Sequence, residues 1–304
     1  MSLQCGGCVP SLMDLAPLFQ DPVGLWNFLA EHSLVRSKVQ CPTCWSEVGV
    51  NANMRFKCTR LERVKEGRKT SIRRCSLNLT ARRGTFFGET MLPVSKIVQL
   101  MYWSCLAPSP IPMVAAQVHV SRTTATSWCS YFRVVAVHHC VKSSEKIGGR
   151  YKTVEIDEAK FIKQKDDDVP VLRDQWVLGG FQRGTKKQFL VPLPDRRKET
   201  LHDCLREWVL PYTDIVSNSW ASFGCLELND YTHRTVDHFP TPSSGTSNTG
   251  GEVQDMLSEA PTTSRRHQHT VGSLAMTYFR MMYPDAPLRF HQFLKATADL
   301  YPPQ

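Results

Sequence analysis

Residues 151–161 read YKTVEIDEAKF, and DQWVLGGFQR at 174–183 and KQFLVPLP at 187–194 follow closely. Each run is rich in β-branched and aromatic residues, and the first alternates, which predicts three strands. Residues 199–210 place Leu201, Cys204, Leu205 and Trp208 on one helical face, and TDIVSNSW at 213–220 predicts a fourth strand. A closing helix is predicted from Val271 to Met282. Three strands, a helix, a further strand and a late helix describe a mixed α/β domain over 151–283. Within it, residues 240–266 are rich in Ser, Thr, Gly and Pro with almost no large apolar residue, and a disordered insertion is expected there.

Upstream, residues 91–140 read as helices. Leu92-Pro93 opens the first, which runs through Ile97, Leu100, Met101 and Leu106 and ends near Pro108 and Pro110. A short helix is predicted from Pro112 to Val118, and Ser121 is a suitable N-cap for a longer one carrying Thr124, Trp128, Tyr131 and Phe132. Helix, short turn and helix is the outline of a helix-turn-helix. Arg122, Thr123 and Thr126 would then face a DNA groove; plain bundle packing of residues 111–138 is the alternative. Residues 1–40 form an amphipathic helical lead-in, with Leu12, Leu15, Leu18 and Phe19 at helical spacing and a second short helix after Asp21-Pro22. Residues 284–304 are read as a tail.

The chain has 304 residues and a formal net charge of +9, with 41% hydrophobic and 21% charged residues, enough for buried cores and for more than one domain. Its most apolar run, residues 97–107, is interrupted by Gln99 and Ser104 and falls short of the roughly 20 residues of a spanning helix. The opening MSLQCGGCVPSLMD lacks the basic start of a secretory signal, so neither a membrane nor a secreted protein is expected. Eleven cysteines, an odd number, argue against a disulfide scaffold. The charge is uneven: residues 1–150 balance to +11 and residues 151–304 to −2, which directs attention to a polyanionic partner for the first half.

Residues 41–88 hold two candidate chemistries. Cys41 and Cys44 form a CxxC knuckle, able to offer two thiolates from one tight turn. Cys58 and Cys75 are the candidates for the other two ligands of a structural zinc ion. Cys5 and Cys8 could instead complete the site, leaving Cys58 and Cys75 as buried thiols. Between Arg55 and Arg83 stand eleven Lys and Arg against two Glu, a phosphate-binding stretch or a merely solvated face; Arg55, Arg73, Arg74, Arg82 and Arg83 are the candidate contacts. A third constellation is acidic: Glu155 and Asp157 share one strand face, and converging carboxylates can hold divalent ions for phosphodiester chemistry.

The runs VEIDEAKF, QWVLGGFQRGTKKQFLVPLPDRRKETL, VLPYTDIVSNSWASF and YTHRTVDH resemble the catalytic domain of Merlin-type DDE transposases. Upstream, CPTC, RRGTFF and LPVSKIVQLMYW resemble that family's zinc ribbon and helical DNA-binding region. The resemblance spans residues 41–239 and resumes over 267–283. It implies an RNase H-like fold and metal-dependent DNA strand cleavage and transfer. The family's first catalytic Asp matches Asp157, but the second falls on Asn218 and the third acidic position on Gly272, with the family's Trp falling on Ala275 and the Asn of its VNH on Asp237.

Replacement ligands are hard to find. Asp214 lies about 13 Å along the strand from Asn218, too far to share an ion pair about 4 Å across. No Asp or Glu occurs from Ala260 to Pro284, and His267 and His269 are poor ligands for Mg²⁺. Mg²⁺ or Mn²⁺ binding at the triad is therefore not expected, and Gly272 would weaken the late helix by about 1 kcal/mol.

The expected function is that of a transposase-derived, catalytically inactive protein that binds double-stranded DNA in the nucleus, the cytoplasm being a further location and homo-oligomerisation a further property. One alternative is residual nuclease or strand-transfer activity through Asp157 with Glu155, Asp237 or a partner's residue. Another is a non-functional remnant or a protein-interaction scaffold.

Overall fold

The computed structural model describes residues 5, 7–66, 69–88, 90–106, 109–160, 176–218, 231–236 and 271–303. The insertion at 240–266, Asp237, His267 and His269 lie outside them. The chain divides into two compact units: residues 1–106, 112–128 and 285–304 form one, and residues 107–111 and 129–284 the other.

The second unit is built on a five-stranded sheet. Its strands are β8 (Thr153–Lys160), β9 (Trp176–Gln182), β10 (Gln188–Leu193), β12 (Thr213–Asn218) and β13 (Tyr231–Val236), in the order β10-β9-β8-β12-β13. The first three are antiparallel neighbours, β9 and β10 joined through Gly184 at φ 68°, a left-handed conformation that glycine adopts without strain. β12 is parallel to both β8 and β13. A parallel partner requires a crossover, and helix α6 (Lys198–Trp208) supplies it between β10 and β12. Leu201 and Leu205 of α6 pack with Val154, Ile156, Leu178 and Phe189 on one sheet face. The α6 helix is shorter than its sequence suggests: Val209–Leu210 forms strand β11, parallel to β7 (Ile147–Gly148). Pro211 explains the stop, since the residue before a proline is pushed out of the helical region.

Helix α7 (Val271–Met282) packs on the strands β8 and β9 and is buried over most of its circumference. The adjacent glycines of β9 permit this on one face and the α6 core on the other. A Cβ at Gly179 would meet the Tyr278 hydroxyl at 2.8 Å, and one at Gly180 would run into the Phe189 ring.

The first unit opens with helices α1 (Leu12–Leu15) and α2 (Pro22–Glu31), capped by Ser11 and Asp21 and separated by a 3₁₀ turn. Three two-stranded ladders follow: β1 (Lys38–Gln40) with β2 (Glu47–Gly49), β3 (Arg55–Lys57) with β6 (Asn78–Thr80), and β4 (Leu61–Glu66) with β5 (Lys69–Arg74). Helices α3 (Val94–Leu106), α4 (Ile111–Val118) and α5 (Arg122–Lys142) come next, α5 contributing its start to this unit and the rest to the other.

The segment read from sequence as a tail is instead a helix, α8 (Ala286–Leu300), capped by Asp285. It lies along α3, with Tyr102 and Phe290 rings 5.0 Å apart. The buried Arg289 donates to the carbonyls of Cys105 and Leu106 at 2.6 Å each, satisfying acceptors that the end of α3 leaves open. Burial of this apolar face against α3 adds to the local Asp285 cap in holding α8 in place.

Candidate metal centres and nucleic-acid interface

The turn between β1 and β2 brings Cys41 and Cys44 together. Trp45, at φ 55°, donates its N–H to the Cys41 carbonyl at 2.8 Å, and Cys41 N–H donates to Ser46 at 3.0 Å. Cys58 leaves β3 and Cys75 leaves β5, held by backbone bonds to Leu77 and from Cys75 to Arg60. The four sulfurs lie within 4.8 Å of one another and could hold a metal ion. Cys44 Sγ and Cys58 Sγ are 3.7 Å apart, against an edge of about 3.8 Å for a tetrahedron with 2.3 Å metal–sulfur bonds. Hydrogen bonds from Ser46 draw the Cys44 thiol down to about 6, whereas burial and then the neighbouring sulfurs push Cys75 up. Of the two pairings open at the sequence level, the geometry gathers Cys41, Cys44, Cys58 and Cys75.

Cys5 and Cys8 gather elsewhere, with His32 and His291, in a second group that could hold a metal ion. Burial holds both imidazoles below their usual range, His291 at about 4. Nothing in the sequence pattern marks these histidines: one ends a short helix and the other lies far downstream.

The basic residues divide by what they touch. Arg82 donates from Nε to the Phe87 carbonyl at 2.9 Å and from its terminal nitrogen to the Leu92 carbonyl at 2.8 Å. Arg55 is held by the Asn78 side chain and carbonyl and by Thr80. Arg73 and Arg74 are exposed on β5, opposite Glu62 and Leu61 respectively, and Arg83 is exposed in the turn after β6.

Between α4 and α5 lie only three residues, with His119 at φ 56°. Ser121 Oγ accepts the Thr124 N–H at 3.0 Å, the expected N-cap. Val118, Ala125 and Trp128 are buried, while Arg122, Thr123 and Thr126 are exposed. Thr126 bonds back to the Arg122 carbonyl at 2.8 Å, which leaves Arg122 and Thr123 the better placed for a partner. Lys96 Nζ caps α4 through the Val118 carbonyl at 2.6 Å.

On β8, Glu155 and Asp157 face α7: burial first, then the charges of Asp157 and Glu155, pushes the Tyr278 hydroxyl well up. Glu155 is bound by Arg183, and Asp157 accepts the N–H of Glu158 at 2.8 Å. The ladder of β12 on β8 sets Ser217 opposite Ile156, so Asn218 stands one rung further, level with Asp157. Asp214 pairs with Arg234 at 3.2 Å. Gly272 lies in the first turn of α7, where a Cβ would stand 2.7 Å from Arg133 Cβ, and Ala275 is fully buried. Asp157, Asn218 and Gly272 together present one carboxylate, which does not fit a pair of divalent ions needing several anionic ligands. Gly272 also has a packing reason that its cost to helix propensity alone does not suggest.

No protein-family model matches the chain, and no curated protein matches it.

Proposed function

We propose that this is a transposase-derived DNA-binding protein of the nucleus that has lost strand-transfer chemistry. The observation that carries the reading is the capped start of α5, three residues after α4, presenting exposed Arg122 and Thr123 in the same unit as the basic β4–β5 hairpin. In this reading α4 and α5 are a helix-turn-helix whose second helix reads base edges, and Arg73, Arg74 and Arg83 bind phosphates without reading sequence. Zinc bound by Cys41, Cys44, Cys58 and Cys75 fixes the base of the hairpin. The strand order β10-β9-β8-β12-β13, with a crossover helix before β12, supports an RNase H-like ancestry for the second unit. Asn218 level with Asp157, and Gly272 at the matched third position, support inactivity, because a neutral amide and a bare backbone supply no anionic ligand.

Fluorescence anisotropy with a short duplex DNA over a salt series tests it. Affinity should fall steeply with salt, with a log–log slope of about −0.9 per phosphate contact. Replacing Arg74, Arg83 and Arg122 by Gln should flatten the slope by about 2 to 3. Salt-independent binding, or a slope unchanged by these substitutions, would refute it.

A further inference from the structure

The geometry points to a second zinc site, with Cys5 and Cys8 Sγ, His32 Nε2 and His291 Nδ1 as its ligands, that staples residues 5–8 to the end of α2 and to α8.

The distances carry the shape of such a site. Cys8 Sγ lies 3.0 Å from His32 Nε2 and 3.3 Å from His291 Nδ1, and Cys5 Sγ lies 3.9 Å from the same Nδ1. A tetrahedron with metal–sulfur bonds of about 2.3 Å and metal–nitrogen bonds of about 2.05 Å has sulfur–nitrogen edges of about 3.6 Å. The two rings stand at 71° to each other with centroids 5.2 Å apart, so they approach from different corners.

The hydrogen bonds fix which ring atoms face the centre. His32 Nδ1 lies 2.7 Å from the Phe28 carbonyl. A carbonyl only accepts, so Nδ1 carries the proton and Nε2 presents its lone pair toward Cys8. Donation of the second ring N–H to a backbone carbonyl is the usual support of a metal-bound histidine. Among the described residues His291 Nε2 has no hydrogen-bond partner, and the ring turns its Nδ1 toward the two sulfurs.

Ordinary thiol–imidazole bonds would hold this arrangement weakly, with sulfur serving as a poor acceptor from one ring. Cys8 has one S–H, yet two ring nitrogens converge on its sulfur. His32 and His291 are 3% and 1% exposed, so water is a poor substitute partner. A cation at the centre uses all four lone pairs at once, and two thiolates with two neutral imidazoles select Zn²⁺ over Mg²⁺ or Ca²⁺.

The local chain suits the role. Gly7 stands at φ 133°, a conformation glycine adopts without strain, and Cys5 N–H donates to the Glu31 carbonyl at 2.9 Å, one residue before His32. His291 lies on α8 one residue after Phe290, which packs on α3. The site therefore closes a loop of more than 280 residues, and a cross-link of that span restricts the unfolded chain strongly.

Metal analysis of the full chain, made in zinc-containing medium and freed of loose metal, tests the site without reference to DNA. Two zinc ions per chain are expected, one lost in Cys8→Ser, one in Cys44→Ser and both in the double variant. His32→Ala should lose one zinc and His32→Cys should keep it, a rescue that packing alone would not produce. One zinc per wild-type chain, or full zinc in Cys8→Ser, would overturn the site. If Cys8→Ser fails to fold, cobalt-loaded wild type decides. Thiolate-to-cobalt absorption from six sulfurs supports it, and absorption from four sulfurs at one equivalent of cobalt overturns it.

Discussion

Gly272 illustrates how much one atom decides. α7 meets α5 so closely there that a Cβ would stand 2.7 Å from Arg133 Cβ, 3.2 Å from its Cγ and 3.1 Å from its Cδ. Arg133 Cβ is fixed by its backbone, so a side chain at 272 is admitted only by moving a helix. Gly272→Glu should therefore lower unfolding free energy by about 1–3 kcal/mol in urea denaturation. It should also fail to produce Mn²⁺-dependent plasmid nicking, because Asn218 still supplies no charge. Glu158, on the opposite face of β8 from Asp157, makes a second residue-scale prediction. Burial raises its carboxyl from 4.5 to about 7, although Arg196 lies 3.2 Å away, and its Oε1 is buried without a hydrogen-bond partner among the described residues. The folded state then binds the proton more tightly than the unfolded state. Its stabilising contribution is full below about pH 4.5 and is lost as pH rises through about 7. Glu158→Gln should remove that loss, raising stability at pH 8 by on the order of 1 kcal/mol relative to wild type and flattening the pH profile. An unchanged profile in thermal unfolding between pH 5 and 8 would contradict this.

Among the elements, the basic segment separates into structural and exposed cations. Arg82 is committed to two carbonyls that hold the turn after β6 against the approach to α3, while Arg83 beside it is exposed. Arg82→Ala should cost about 1 kcal/mol of stability by stripping partners from half-buried acceptors while leaving the salt slope of DNA binding within error. Arg83→Ala should do the reverse. Exchange of these outcomes, read by denaturation and anisotropy on the same samples, would reassign the two residues. The sequence makes both look alike, since an arginine's role depends on which carbonyls the fold brings within reach. The helices α3 and α4 and the start of α5 were legible because proline, serine caps and apolar spacing are local signals. α8 carries comparable signals, an Asp285 cap, Pro287 and apolar residues at 290, 293 and 294. Their meaning depends on a partner, α3, roughly 190 residues upstream.

For the molecule as a whole, the candidate sites divide between the two units. Both cysteine clusters, the exposed arginines and the start of α5 fall in one, and Asp157, Asn218 and Gly272 fall in the other. The chain segments composing each unit are discontinuous: the segment read from sequence as 41–88 and residues 285–304 fall in one unit, and the segment 91–140 is divided between the two. The sheet owes its cohesion to Leu178, Phe189, Leu201 and their neighbours, none of which depends on a bound cation.

The sequence by itself determined four strands of the five-stranded sheet, the helices from α3 to α5, the Cys41/Cys44 knuckle and the residue types Asp157, Asn218 and Gly272. These follow from alternation, helical period, caps and residue type, all local quantities. Only the tertiary structure decided that Cys58 and Cys75 complete the first cysteine group, that Cys5 and Cys8 meet His32 and His291, and that Gly272 is a close helix contact. Each of these joins residues separated by tens to hundreds of positions. Which distant groups meet is settled by burial of apolar faces over the whole chain, a sum that no short window of sequence contains.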